Sequence, residues 1–488
     1  MNNAARQLKD MIRKDIISLL AHGLFRLQLE VYFKAVLGAS RFISLCCGRR
    51  SGKTVVLSRI AGGVAASHPK RGITPSLVAV CYPTLDRAVR IFWPHLMQLA
   101  IMYGWRIETT RHRVILPNGA EIWLIGLDSQ EDTGKLLGNP FLLVIIDESQ
   151  SIRPDFATLI DKVIGPTLED YNGSILLSGT PSTTCHGYWY DACHDTSYTN
   201  FTWSIYDNPM LPAWAGHVDW RMRAEQAKLK LLERKHWQAD DPRFVTEYLG
   251  LWKRDTSKLV FARYDPRFND FTELPKKQNG HDYHWSHIFG MDLGYENSFA
   301  FGVLAFSYDC PNVYELEAHE MKHSTMTDWG LLARTMKIKY PSVVSMVADE
   351  GGLGKASVIE INKRFGLNIK AAEKTSKWTF IELVNDQFSE RRLFVRPDSP
   401  TKDQLLSLTK AKDAQGQYIE GREDPGQPND LTDQLLYGVR ESRHYLAKKP
   451  ELVPQQGTRE YELYMQAKID KEFLDAYEDE RRMRRSGG

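Results

Sequence analysis

The 488-residue chain contains no apolar run that approaches the ~20 residues a membrane-spanning helix requires, so no membrane partner is expected. Its opening stretch, MNNAARQLKDMIRKD, carries charge throughout and lacks the apolar core of a secretory signal. The six cysteines, Cys46, Cys47, Cys81, Cys185, Cys193 and Cys310, form no CxxC pair. That spacing argues against a zinc site and fits a reduced cytoplasmic setting. Charge of one sign is also missing: 63 Lys and Arg face 61 Asp and Glu, a net +2. Any surface for nucleic acid must therefore be local. There are no internal repeats. What remains is an ordinary globular composition, 42% hydrophobic and 25% charged, in a chain too long for one core. Two domains are expected, or three.

A glycine is missing as well. The stretch CCGRRSGKTVV, residues 46–56, approaches the phosphate-loop pattern G-x-x-x-x-G-K-[ST], but Cys47 stands where the leading glycine belongs and Gly48 comes one place late. The context is that of such a loop: the apolar strand RFISLCC precedes it and a helix pattern, TVVLSRIAGGVAASHP, follows. Backbone N–H groups of Gly48, Arg49, Arg50, Ser51 and Gly52 would converge on phosphates. Lys53 adds a point charge, and the Thr54 hydroxyl suits Mg²⁺. Downstream, FLLVIIDESQ reads as a buried parallel strand ending in Asp147 and Glu148. Asp147 would hold Mg²⁺ through water, and Glu148 would orient or deprotonate an attacking water. The next strand closes in Ser178, Gly179 and Thr180, where a hydroxyl can sense a γ-phosphate. Gln28 lies upstream, where an amide could read adenine; otherwise it belongs to a solvated helix face.

Strands alternating with helices predict a doubly wound α/β domain over residues 1–255. It includes a helical lead-in over 1–38, an Asn-Gly hairpin in RVILPNGAEIWLIGL, and a helical subdomain at about 208–252. Residues 256–280 are polar and turn-rich, as a linker is. Residues 281–448 open with three strands as a meander, then alternate helix and strand, an order that suits an RNase H-like domain. The last stretch, 449–488, is a charged tail.

Nucleases of the RNase H type need three or four carboxylates around two divalent ions. Candidates fall at element ends: Asp292 on the first strand, Asp349 closing a later one in VADEGGLG, and Asp430 and Asp433 three residues apart on one face of the final helix. Glu350 would point to the opposite face of its strand. KTSKW (374–378) and RRLFVRP (391–397) place basic residues nearby, either as backbone contacts to DNA or as a solvated charged face. Two other functions fit parts of the pattern. A helicase with a fused nuclease would need a second nucleotide-binding domain with arginine fingers. A non-catalytic DNA-binding scaffold would not need the intact Lys53, Thr54, Asp147, Glu148, Asp292 and Asp349.

In this order, GRRSGKT, IIDE and SGTP, followed by DNP (207–209) and EYLGLW (247–252), resemble the large terminase subunit of tailed bacteriophages. The resemblance runs over about residues 20–445. It implies an N-terminal P-loop ATPase of the ASCE, RecA-like kind and a C-terminal RNase H-like nuclease. Together these would drive double-stranded DNA into a procapsid and cut the concatemer. In that family the loop commonly lacks its first glycine and carries an arginine. Arg49 would then act as a finger in cis on the γ-phosphate region; Arg50 either joins the phosphate contacts or faces outward. Lys135 falls near where some members place an arginine that acts in trans. Asp430 matches the family's acid at the last helix start, and Asp433 a following acid. The implied cofactors are ATP with Mg²⁺ for the motor and Mg²⁺ or Mn²⁺, two ions, for the nuclease. The implied partners are double-stranded DNA, the portal protein, the small terminase subunit and further copies in a ring, a pentamer. The implied location is the cytoplasm of an infected bacterium, not the mature virion.

Overall fold

The structure, a computed structural model, describes residues 14–69, 74–129, 133–152, 156–277, 281–294, 298–350, 354–413, 417–446, 459, 462–463 and 465–466. Residues 1–13 of the expected helical lead-in and nearly all of the expected tail lie outside these. The chain divides into two compact units, Met1–Ala262 and Arg263–Gly488.

The first unit is built on an eight-stranded sheet. Its strands are β1 (Phe42–Cys46), β2 (Leu77–Tyr82), β3 (Arg106–Glu108), β4 (Arg113–Ile115), β5 (Glu121–Gly126), β6 (Phe141–Ile146), β7 (Ser174–Gly179) and β8 (Thr199–Phe201), in the order β3-β4-β5-β2-β6-β7-β1-β8. From β5 to β8 all neighbours run parallel; only β3 and β4 are antiparallel additions. Strand alternation divides the apolar residues between two cores. Ile43, Leu45, Val78, Val80, Ile145 and Leu176 enter one, while Ala79, Cys81, Val144, Ile146, Ile175 and Leu177 enter the other. Both faces are covered, which is why these strands read as continuous apolar runs. Among the helices are α1 (Arg26–Val36), α2 (Lys53–Ser67), α3 (Leu85–Ile91), α4 (Trp93–Tyr103) and α5 (Trp220–Lys235). The expected Asn-Gly hairpin is present between β4 and β5, with Gly119 at φ 79°.

The second unit carries a six-stranded sheet: β9 (Ser286–Leu293), β10 (Phe299–Ser307), β11 (Cys310–Met321), β12 (Val343–Ala348), β13 (Ile369–Ala371) and β14 (Leu393–Val395), ordered β13-β12-β9-β10-β11-β14. The meander β9-β10-β11 is antiparallel, and β12 and β13 extend it in parallel on the β9 side. This is the RNase H-like layout. Helices α6 (Met326–Lys339), α7 (Gly354–Phe365), α8 (Lys377–Ser389) and α9 (Asp430–Leu446) accompany it. A separate two-stranded hairpin, β15 (Lys410–Lys412) with β16 (Tyr418–Glu423), precedes α9. Much of the stretch expected as a linker is packed: Leu259, Val260, Phe261 and Tyr264 are buried. Asn269 donates to the carbonyls of Phe388 and Leu393, at 2.9 and 3.4 Å.

Candidate functional site

The first unit brings its motif residues together because β1, β7 and β6 are adjacent and parallel, so their C-terminal ends line one edge of the sheet. In open α/β sheets ligands bind outside those ends. The loop leaves β1 and turns into α2, whose first residue is Lys53. Gly52 sits at φ 89°. The Lys53 ammonium is folded back on the loop, donating to the carbonyls of Cys47 (3.0 Å) and Gly48 (2.8 Å). Three side chains brace the loop from outside: Gln28 donates to Gly52 O (2.9 Å), Trp203 to Ser51 O (2.9 Å) and Asn208 to Arg50 O (3.1 Å). Gln28 is only 3% exposed, so the solvated-face alternative is excluded.

The EYLGLW stretch, together with Trp203, forms the back of the loop. Gly48 N donates to Trp203 O (3.1 Å), and Arg49 N donates to Glu247 O (2.7 Å). A Cβ on Gly48 would collide with the Tyr248 backbone carbonyl. The displaced glycine is therefore required by a close backbone approach. The Arg49 guanidinium forms an ion pair with the Glu247 carboxylate, and Arg50 is exposed at φ 54°.

Asp147 and Glu148 follow β6. Asp147 is buried; its carboxylate accepts from the Tyr82 hydroxyl (2.5 Å) and from Glu148 N (2.9 Å). Glu148 is at φ 55° and accepts from Arg87 at 3.1 Å. A left-handed backbone on a non-glycine residue is uncommon, and Arg50 in the loop shares it. β7 ties the edge together: Gly179 O accepts from Cys47 N (3.0 Å), and Thr180 N donates to Gln150 Oε1 (3.1 Å). Ser178 is buried and its hydroxyl has no partner among the described residues. Lys135 is exposed.

In the second unit the start of α9 lies on the sheet, and its acids meet Asp292 of β9 and Asp349, which follows β12. Burial, reinforced by the charges of Asp433, Asp430 and Asp349, pushes the Asp292 carboxyl up to about 8. Burial pushes Asp433 up to about 6, with Lys377 opposing and Glu423 adding. Burial also raises Asp430. Ser298 Oγ lies 2.6 Å from Glu320 Oε1 and 3.0 Å from Asp430 Oδ2, and its one proton serves one of them at a time. Lys374 pairs with Asp349, and Lys377 pairs with Asp433 (2.6 Å) and Glu423 (2.6 Å). Asp349, Asp433, Lys374, Lys377, Tyr437 and Arg440 line a cavity of about 290 Å³. Glu350 is half-buried beyond the end of β12.

Among the described residues no three His, Cys, Asp or Glu side chains stand as a ready ligand set. The donors are nonetheless all hard oxygens, the kind Mg²⁺ and Mn²⁺ take. Their mutual repulsion under burial is what a bound cation relieves. The residues thus fit divalent ions once the lysines yield.

No family model matches the chain, and no curated protein matches it in sequence. Solved structures do match in fold. The large terminase of bacteriophage HK97 is 13% identical, with 88% of this chain and 99% of that chain covered at a TM-score of 0.47. The large terminase of a thermophilic bacteriophage, in complex with ADP, is 14% identical, with 87% and 100% covered at 0.37. The large terminase nuclease of the thermophilic phage G20c is 18% identical, with 38% of this chain and 98% of that chain covered at 0.30. All three of these structures are phage large terminases or a domain of one.

Several site residues have no role that a motif reveals. Glu247 lies inside a quoted motif, yet its pairing with Arg49 spans 198 residues and is a tertiary fact. Arg87 sits on α3 beside Glu148, and Lys377, Glu423, Glu320 and Ser298 surround the carboxylates. The one sequence signal for Lys377 was the basic stretch KTSKW.

Proposed function

We propose that this chain is a large terminase subunit: ATP hydrolysis in the first unit moves double-stranded DNA into a procapsid, and the second unit cuts the concatemer. One observation carries this. A phosphate loop and an acid pair share the C-terminal edge of a parallel sheet in one unit, while buried aspartates crowd together on an RNase H-like sheet in the other. A helicase would need a second nucleotide-binding sheet, and the second unit's antiparallel meander is not one.

ATP is the substrate of the first unit. Lys53 leaves its two carbonyls to meet the phosphates, and loop N–H groups bind the oxygens. Thr54 and Asp147 would hold Mg²⁺, which neutralises charge on the β- and γ-phosphates. Glu148 takes the proton from the attacking water, after release from Arg87. Arg49 turns from Glu247 to the charge that develops in transfer. In the second unit Asp292, Asp349, Asp430 and Asp433 would hold two Mg²⁺ or Mn²⁺, which activate water and steady the leaving oxygen. Basic groups of 374–378 and 391–397 contact the DNA backbone without reading sequence. The portal protein, the small terminase subunit and a pentameric ring complete the motor, in the cytoplasm of an infected bacterium.

DNA-stimulated ATPase and Mn²⁺-dependent cutting, measured on one preparation, test the proposal. Lys53→Ala should abolish hydrolysis and spare cutting, and Asp292→Asn should do the reverse. A preparation that hydrolyses no ATP with DNA present, or cuts nothing, would sink the two-activity assignment.

A further inference from the structure

The ammonium of Lys377 is placed unusually for a lysine. It opens α8, is half-buried, and stands 2.6 Å from Asp433 Oδ1, 2.9 Å from Asp433 Oδ2 and 2.6 Å from Glu423 Oε2. Asn429 Nδ2 donates to the same two residues, to Glu423 Oε2 (3.0 Å) and Asp433 Oδ2 (3.3 Å). Glu423 Oε1 is buried with no hydrogen-bond partner among the described residues. Glu423 belongs to β16, so the hairpin and α9 supply one carboxylate each and Lys377 joins them. Three residues earlier, Lys374 holds Asp349 in the same way. Both lysines line the cavity that opens on the carboxylates.

A lysine at a buried acid pair offsets the repulsion that would otherwise expel or protonate one carboxylate. A divalent ion offsets it too, through the same oxygens. The two cations cannot both hold Asp433 at full strength: each screens the charge the other is attracted to. We propose that Lys377 is a resident counter-cation of the carboxylate site, competing with divalent ions for Asp433. Lys374 plays the lesser part at Asp349, being more exposed, where solvent already screens the pair. The consequence is a site that stays folded without metal and loads only at raised ion concentration or when DNA draws the lysines away. Phosphate is the natural lure, because it offers the ammonium an anionic partner outside the cluster. This rests on the nuclease assignment of the second unit.

The test is Mn²⁺ binding to the full chain without nucleotide or DNA, by calorimetry, with Asp292→Asn as the blank that leaves the nucleotide site intact. Lys377→Met should bind Mn²⁺ more tightly by ~10–100-fold, the scale on which neighbours of metal ligands tune affinity. It should also melt lower than the wild type without metal and gain more on adding Mn²⁺. Lys377→Arg keeps the charge and should stay near wild type. Lys374→Met should tighten binding by less. Lys377→Gln, neutral but still a donor to Asp433, serves if the methionine variant does not fold. Unchanged or weaker Mn²⁺ affinity in folded Lys377→Met or Lys377→Gln would overturn the competition while leaving the nuclease assignment standing. A wild type and variants that all match the Asp292→Asn blank would overturn both.

Discussion

Arg49 is held twice by Glu247: its guanidinium pairs with the carboxylate, and its backbone N–H donates to the same residue's carbonyl at 2.7 Å. The pair is exposed, so its worth is small, and Arg49 can leave it at little cost. Arg49→Ala should lower ATP turnover by ~10³-fold with nucleotide affinity nearly unchanged, as expected of a group used in the transition state. Arg49→Lys should rescue poorly, because an ammonium lacks the guanidinium fork. Arg50→Ala is the control and should do less. Glu247→Gln removes an exposed pair worth about 0.2–1 kcal/mol, so turnover should rise at most severalfold with nucleotide affinity nearly unchanged. Steady-state turnover and a fluorescent-nucleotide titration separate these outcomes. Equal losses at Arg49 and Arg50 would mean general loop charge, not a finger.

Glu148 is the water-activating candidate, and Arg87 holds it at 3.1 Å. Glu148→Gln keeps the shape but cannot accept a proton. Turnover should fall by at least ~100-fold, the scale of general-base loss, while ATP still binds. A fall of less than severalfold would move the role elsewhere.

The edge where the loop meets the acid pair was legible because strand, loop and helix follow one another in sequence, and the acid pair closes an apolar run. Gln28 was legible only as a position; that its amide grips Gly52 depends on how α1 packs. The meander and the four aspartates were legible from element order. The hairpin β15–β16 was not, because KAK and YIEGRE lack alternating apolar residues, and its strands are mostly exposed. Glu423 was hidden with its hairpin, and Lys377 was legible only as part of the basic stretch KTSKW; that the two pair across 46 residues is a tertiary fact. The packing of Leu259, Val260, Phe261 and Tyr264 was masked by polar neighbours in a turn-rich stretch.

The start of α9 lies so close to the sheet that glycines are required beneath it. A Cβ on Gly290 would collide with the Gln434 backbone carbonyl, and one on Gly302 with the Gln434 side-chain amide. Gly290→Ala should cost about 1–3 kcal/mol, the range for overpacking, and Gly302→Ala less, since a side chain yields more easily than a helix backbone. Both should loosen the Asp430 and Asp433 positions and weaken Mn²⁺-dependent cutting before ATP hydrolysis. Thermal melting ranks the two, and the reverse order would contradict the close approach of α9.

Glu315 gives a pH dependence whose sign is fixed. It is fully buried and accepts from Ser399 (2.7 Å), Thr401 (2.8 Å) and Gln434 (2.8 Å). Burial pushes its carboxyl from 4.5 up to about 7, against the pull of those three donors. Between these values the folded chain holds a proton that the unfolded chain has released. Its stabilising contribution is therefore complete below about pH 4.5 and is lost as the pH rises through about 7. Asp292, pushed up to about 8, acts in the same direction when no metal is bound. Glu315→Gln cannot ionise, so with a chelator present its melting temperature should fall less steeply than the wild type's across this window. Adding Mn²⁺ should offset the loss that comes from Asp292 but not the part from Glu315, whose partners are hydroxyls and an amide. Parallel melting curves for wild type and Glu315→Gln over the whole window would show that Glu315 does not titrate on folding.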